Sequence, residues 1–236
     1  MKNRLLISAL MFVITSFMAG AQATRHEVKV GDFKRLAVVD GINVNYRCNP
    51  DSAGIAVFTC PQEVADMMMF SVSTSGRVSI QFVDGAKLPP QLPVMTIYSS
   101  SLEEVENAGD STLRLSGLPM MPLFKVRLLD NGKIIARDLK ASKLELQLLS
   151  GKGKIIASGG CDDLSVRLVG TGEIQADQVK AKNVSCRIMG TGSIGCYVDG
   201  GNLKVNGSGT GKVYYKGKPE KVSVRKLGTI KAIPME

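Results

Sequence analysis

Apolar and polar residues alternate along most of this chain with a period of two, the pattern of strands that bury one face. Ile42, Val44 and Tyr46 alternate with Asn43, Asn45 and Arg47, and Val28 to Val39 holds a second alternating stretch. Asp40-Gly41 marks a turn, and Asn49-Pro50-Asp51-Ser52-Ala53-Gly54 is dense in turn-forming residues. Ile55 to Cys60 reads as the next strand, which predicts a hairpin centred near Gly54 with Cys48 opposite Cys60. A disulfide between these two would close a short loop and stabilise by about 3 kcal/mol through the unfolded chain. One segment breaks the period. Pro61 to Phe70 reads as a short helix, with Pro61 in the first position and Glu63 in the first turn. Its Met67-Met68-Met69 run reads as core filling, because consecutive residues cannot converge on one metal ion.

In the second half the alternation itself repeats. LLDNGKIIA (128–136), LLSGKGKIIA (148–157), LVGTGEIQA (168–176), IMGTGSIGC (188–196) and VNGSGTGKVYY (205–215) align, and their last glycines are spaced by 21, 19, 20 and 19 residues. A unit of this size is too small to bury its own apolar face, whereas stacked units bury a continuous one. The pattern predicts an all-β fold: a parallel β-helix, or β-solenoid, with about 20 residues per rung. A β-rich N-terminal part with one short helix precedes it. The expected organisation is a leader at residues 1–23, the N-terminal part with hairpin and helix at 24–108, and the repeat solenoid at 109–236. An antiparallel sandwich is the alternative, since strand patterns alone do not fix pairing.

Stacking sorts the residues by face. Val126/Leu128, Leu146/Leu148, Val166/Leu168, Cys186/Ile188 and Leu203/Val205 are expected inside as one pair of columns. Ile134, Ile155, Ile174, Ile194 and Val213 form a second column, and Ala136, Ala157, Ala176 and Cys196 a third. Cys161 aligns with Ala141 and Ala181 at a corner. Cys186 and Cys196 share a rung and both point inward, which leaves their pairing open. Outside, in-register stacking is expected to line up Arg127, Gln147, Arg167, Arg187 and Lys204 at about 4.8 Å per rung. Arg127, Arg167, Arg187 and Lys204 are the candidate ligand or partner face. The alternative is a solvated surface whose charges discourage edge pairing, and Glu145 and Gln147 interrupt the run. Tyr214 and Tyr215 are expected to cap the open end.

Charge and leader add the compartment. Lys2 and Arg4, the apolar run Leu5 to Met18 and Ala21-Gln22-Ala23 have the form of a secretory signal peptide. An uncleaved anchor is the alternative, but the apolar run is short for a membrane span. Cleavage would lower the net charge of the 236-residue chain from +9 to +7. A basic exported protein suits anionic glycans or an anionic lipid surface, and no nucleic-acid motif is present. Five cysteines, Cys48, Cys60, Cys161, Cys186 and Cys196, leave at least one thiol unpaired.

Residues 39–82, VDGINVNYRCNPDSAGIAVFTCPQEVADMMMFSVSTSGRVSIQF, carry Gly41-Ile42-Asn43, and GTG or GSG corners follow at 170–172, 190–192 and 207–209. In that order these motifs resemble the "putative auto-transporter adhesin, head GIN domain" family. The resemblance covers roughly residues 30–230. It implies an exported all-β protein of β-helical character, of the kind found in Bacteroidetes-type envelopes, and it brings no catalytic residues. The Cys48/Cys60 pair lies outside the family pattern.

Catalytic readings find little support. The glycine corners lack the helix and the Lys-Ser/Thr ending of a phosphate loop. Lys133, Lys154, Glu173, Ser193 and Lys212 occupy the positions where a calcium-binding repeat would place Asp. Asp162-Asp163, Glu103-Glu104 and Asp110 are the candidate acids, yet adjacent strand residues face opposite ways and no column repeats an acid. The single His26 falls in a segment expected to be mobile, unfit for Ser-His-Asp chemistry. The expected function is an exported, non-enzymatic, adhesin-like binding or structural module without cofactor or metal. Its surface would face an anionic glycan or envelope partner in the periplasm, at the outer-membrane surface or outside the cell. A β-helical polysaccharide lyase or hydrolase is the alternative. An oligomeric role is the third reading, with Pro119-Met120-Met121-Pro122 as an apolar contact patch.

Overall fold

The computed structural model describes residues 23–235, so the leader expected at residues 1–23 lies outside the described residues except for Ala23. In chain order the strands are β1 (Thr24–Lys29), β2 (Arg35–Val38), β3 (Asn43–Cys48), β4 (Ile55–Cys60), β5 (Met68–Val72), β6 (Arg77–Phe82), β7 (Val94–Ser99), β8 (Glu104–Asn107), β9 (Thr112–Ser116), β10 (Met121–Leu128), β11 (Lys133–Leu148), β12 (Lys154–Gly170), β13 (Glu173–Gly190), β14 (Ser193–Val198), β15 (Asn202–Gly209), β16 (Lys212–Gly217), β17 (Lys221–Gly228) and β18 (Lys231–Pro234). One short helix, α1 (Gln62–Asp66), interrupts them.

The chain winds as a parallel β-helix. Ile134 pairs with Ile155, Ile155 with Ile174, Ile174 with Ile194 and Ile194 with Val213, one above another in a single fully buried file. Each branched side chain withdrawn from water contributes about 1.5–3 kcal/mol. Gly132, Gly153, Gly172, Gly192 and Gly211 turn the corner beside this file. A Cβ on Gly192 would lie 2.4 Å from the Gly172 carbonyl oxygen of the rung before, so these positions have no room for a side chain. At the partner corner Gly170, Gly190, Gly209 and Gly228 take φ from 94° to 128°, which only glycine adopts without strain.

The stack does not follow chain order at its first end. β2 lies between β6 and β8, and β3 between β7 and β9, all in parallel register. The chain thus lays down the β2–β3 rung, adds β6–β7 on one side of it, then crosses back to continue with β8–β9 on the other. Gly41-Ile42-Asn43 forms the corner of this sandwiched rung. Ile42 is fully buried, the Asp40 carboxylate accepts from the Phe82 amide at 2.6 Å, and the Asn43 side-chain oxygen accepts from the Thr112 amide at 2.9 Å. One corner therefore clips the rung before and the rung after. Antiparallel pairing is confined to the first end, where β1 joins β4, β4 joins β7, and β5 joins β6.

Several expectations change. The hairpin around Gly54 does not form, because β7 lies between β3 and β4. Cys48 stands opposite Ser99, at one end of β7, while β4 runs the other way with Val57 opposite Thr96. Cys60, three residues further along β4, is thereby about 20 Å from Cys48 at strand spacing. All five cysteines are free, so the Cys48–Cys60 disulfide is not present, and the Cys48 thiol donates instead to the Ser100 carbonyl at 3.2 Å. The helix stops at Asp66, and Met68 to Val72 pair with β6, so buried Met68 alternates with exposed Met69. Tyr214 and Tyr215 do not cap the end, because β18 stacks beyond them. His26 sits in β1 rather than in a mobile segment, stacked on Phe58 at 5.3 Å and bonded to the Cys60 carbonyl.

Candidate functional site

The outward residues of the longest side of the solenoid form three parallel columns. Lys143, Asp163, Asn183 and Asn202 make the first; the second places Glu145, Ser165, Ser185 and Lys204 in register. The third is Arg127, Gln147, Arg167, Arg187 and Asn206. The interior side of the same strands is aliphatic, so alternation alone turns every one of these groups to solvent. Shallow concavities of about 450 Å³ and 250 Å³ lie on this face, the first floored by Asp163, Ser165, Asn183 and Ser185, the second by Gln147, Ser165, Arg167 and Arg187.

Arg127, Arg167 and Arg187 share a column as expected, but Lys204 does not. Asn206 takes its place, and Lys204 stands in the neighbouring column over Ser185. The interior pair shifts with it, so Leu203 and Val205 cover Val184 and Cys186 rather than Cys186 and Ile188. The cause is one uneven rung. The step from Cys196 to Tyr197 spans what Ala176 to Lys180 spans below, three residues fewer, and Val198 to Leu203 replaces Ala181 to Val184, two residues more. The rung is one residue short of 20.

The four cations also differ in engagement. Arg127 is held at 3.0 Å from Glu106 and 3.5 Å from Glu104, and Glu106 takes Arg77 as well at 2.6 Å. Among the described residues Arg167, Arg187 and Lys204 have no ion-pair partner, and all three are exposed. Lys143 bonds Glu145 at 2.8 Å. The neighbouring ladder is polar but bonded along its length: the Asn183 side-chain amide donates to Asp163 at 3.1 Å, and the Asn202 amide donates to the Asn183 side-chain oxygen at 3.3 Å. Residue type alone does not single out this ladder; its signal is the repeat spacing of positions 163, 183 and 202. A fourth column borders the arginines: Leu129 and Leu149 before the corner, then Val169 opposite Met189, with Met189 44% exposed. Its signal was the paired apolar residue after each arginine, in RLL, RLV and RIM.

The candidate acids do not assemble. Asp163 is engaged by Asn183, Glu103 pairs with Lys34 at 3.2 Å, and Glu104 reaches Arg127. Among the described residues no three His, Cys, Asp or Glu side chains are placed to hold a metal ion. Burial first, then the charges of Asp162 and Asp163, push the Cys161 thiol up to about 12. Pro119, exposed Met120, Met121 and Pro122 line a separate groove of about 500 Å³ with Lys34 and Lys125.

The family model described as "Putative auto-transporter adhesin, head GIN domain" matches residues 32–219. The chain belongs to this GIN-domain family. Two solved structures share the fold. A "putative adhesin" from Bacteroides fragilis is 19% identical with a TM-score of 0.83, over 92% of this chain and 98% of that one. A "putative lipid binding protein" from Parabacteroides distasonis is 21% identical with a TM-score of 0.74, over 91% and 97%. No curated protein matches the chain. The corner made by Asp40 and the Gly41-Ile42-Asn43 triplet, which clips the rungs on either side, lies within the matched residues. Among the described residues no helix is long and apolar enough to cross a membrane.

Proposed function

We propose that this GIN-domain chain is an exported, non-enzymatic binding module that presents its polar solenoid face to an anionic glycan of the cell envelope. The observation that carries the reading is the register. Arg167 and Arg187, without an ion-pair partner among the described residues, stand on successive rungs beside columns of Ser, Asn and Lys, so a repeating chain of hydroxyls and anionic groups meets a repeating set of donors and cations. Open, shallow concavities on a rigid sheet suit a bound chain held by many weak contacts. The family description supports an adhesive role, and the separate engagement of Glu103, Glu104 and Asp163 by different partners favours binding over hydrolysis.

The test is retention on a heparin-type matrix as a function of salt. Arg167→Glu/Arg187→Glu should elute at clearly lower salt than the wild-type chain, since exposed charges act through a screened field. Unchanged elution refutes the face. The aliphatic column beside the arginines favours a second reading, an anionic amphiphile such as a lipid surface. Vesicles of anionic lipid should then compete with the glycan, and neutral vesicles should not.

A further inference from the structure

On another side of the solenoid, three arginines that share no repeat position meet. Arg47 on β3 stands opposite Ser116 on β9. Arg114 lies two residues before Ser116 on the same face of β9. Arg137 follows Ala136, whose partner is Leu115, which sets it over Ser116 from the opposite side. At strand and rung spacings Arg47 and Arg137 are about 10 Å apart at the backbone, with Arg114 about 7 Å from the position between them. Arginine side chains reach across such gaps. The short Ser116 leaves a hollow among them, a concavity of about 340 Å³ walled by Asn45 and Ile135.

The charge of this hollow is uncompensated. Among the described residues none of the three guanidinium groups takes part in an ion pair or a side-chain hydrogen bond, and none of the residues lining the hollow is acidic. All three arginines are exposed, while the strands beneath them are fully buried on the inner face, so the backbone that carries them is fixed. Three like charges held together by register repel one another, and the arrangement gains most from a compact anion with several acceptor oxygens. Guanidinium groups match tetrahedral oxyanions by presenting paired N–H donors.

We propose that Arg47, Arg114 and Arg137 form a binding site for a tetrahedral oxyanion ester, a phosphate or sulfate group carried on a sugar. The site is separate from the Arg167/Arg187 face and does not depend on it. It sits where the rung carrying the GIN corner meets its neighbour, so out-of-order stacking assembles it from segments 67 and 23 residues apart.

Glucose 6-phosphate, glucose 6-sulfate and glucose serve as probes in calorimetric titrations of the whole mature chain at low salt. Both esters, or one of them, should bind the wild-type chain and the Arg167→Glu/Arg187→Glu variant equally, with glucose silent; which ester binds identifies the source of the oxyanion. Arg47→Gln/Arg114→Gln/Arg137→Gln should weaken binding at least ten-fold without lowering the melting temperature, because the three side chains are exposed and their mutual repulsion is relieved. Absence of ester binding by the wild-type chain, equal binding of glucose, or undiminished binding by a folded triple variant overturns the proposal. If the triple variant is unstable, the single change Arg114→Lys gives the same reading, since it keeps the charge and loses the paired donors.

Discussion

Replacing Gly172 with Ala tests how closely the rungs approach. Gly172 has an ordinary backbone conformation, and at such positions Ala usually stabilises by about 0.4–1 kcal/mol by restricting the unfolded chain. Here the added Cβ would sit 2.4 Å from the Gly153 carbonyl oxygen, 3.2 Å from the Gly153 amide nitrogen and 2.7 Å from Leu148 Cδ1. The leucine can rotate; the backbone of the rung below cannot move without parting the ladder around buried Ile155 and Ile174. Overpacking of this kind costs about 1–3 kcal/mol, reversing the usual sign. For a chain of this size each kcal/mol lowers the melting temperature by about 2–4 °C. Gly41→Ala is the control, because nothing lies within 4 Å of its Cβ position. Urea titration followed by circular dichroism should give a reduced midpoint for Gly172→Ala and little change for Gly41→Ala. A Gly172→Ala chain as stable as the parent would mean that the rungs are not packed backbone to backbone at this corner.

Three further outcomes follow from the same structure. Thiol titration in denaturant should count five free cysteines per chain, with slow reaction in the folded state at Cys60, Cys161 and Cys186; burial raises the first two, and a hydrogen bond with the free Cys196 thiol, then burial, raises the third. A count of three would show a bridge that the structure lacks. Asp32 is held below its ordinary 3.8: burial pushes it up, but hydrogen bonds from Ser100 and Phe33 and the nearby Lys34 outweigh this. Glu173, ordinarily 4.5, and Asp177 are lowered in the same way against burial, by Lys154 and Lys216. The unfolded chain therefore binds protons first on acidification, so this stabilisation is complete above pH 4.5 and drains away below it; Asp32→Asn should flatten the fall of melting temperature with pH, and an unaltered slope would contradict the assignment. Finally, Lys226 pairs with Gly207 at an interior-facing position of the terminal rung, beside Val222 and Val224, each 41% exposed. Lys226→Leu should drive concentration-dependent self-association in light scattering, as an inward charge that guards an edge is removed; a strictly monomeric variant would argue against that guard.

The repeat was legible because each rung buries the same positions. Ile134, Ile155, Ile174 and Ile194 could be placed from spacing alone, and Cys161 between Ala141 and Ala181 likewise. Less legible was the pairing of strands that meet out of order. Cys48 and Cys60 flank a turn in sequence, yet β7 comes from 40 residues later to lie between their strands. Arg47, Arg114 and Arg137 fall in three segments with no common period, so only the stacking of β3, β9 and β11 brings them together. Lys204 was misplaced for a smaller reason: two corners of unequal length cancel to within one residue, and a two-residue error keeps the same face while changing the column.

Hydrogen exchange of the chain from Thr24 onward, with and without a heparin-derived oligosaccharide, tests the ligand face most directly. The account predicts added protection in β12, β13 and β15, around Arg167, Arg187 and Lys204, lost in Arg167→Glu/Arg187→Glu. Protection confined to the open edge at β17 and β18, or no change anywhere at saturating oligosaccharide, would contradict it.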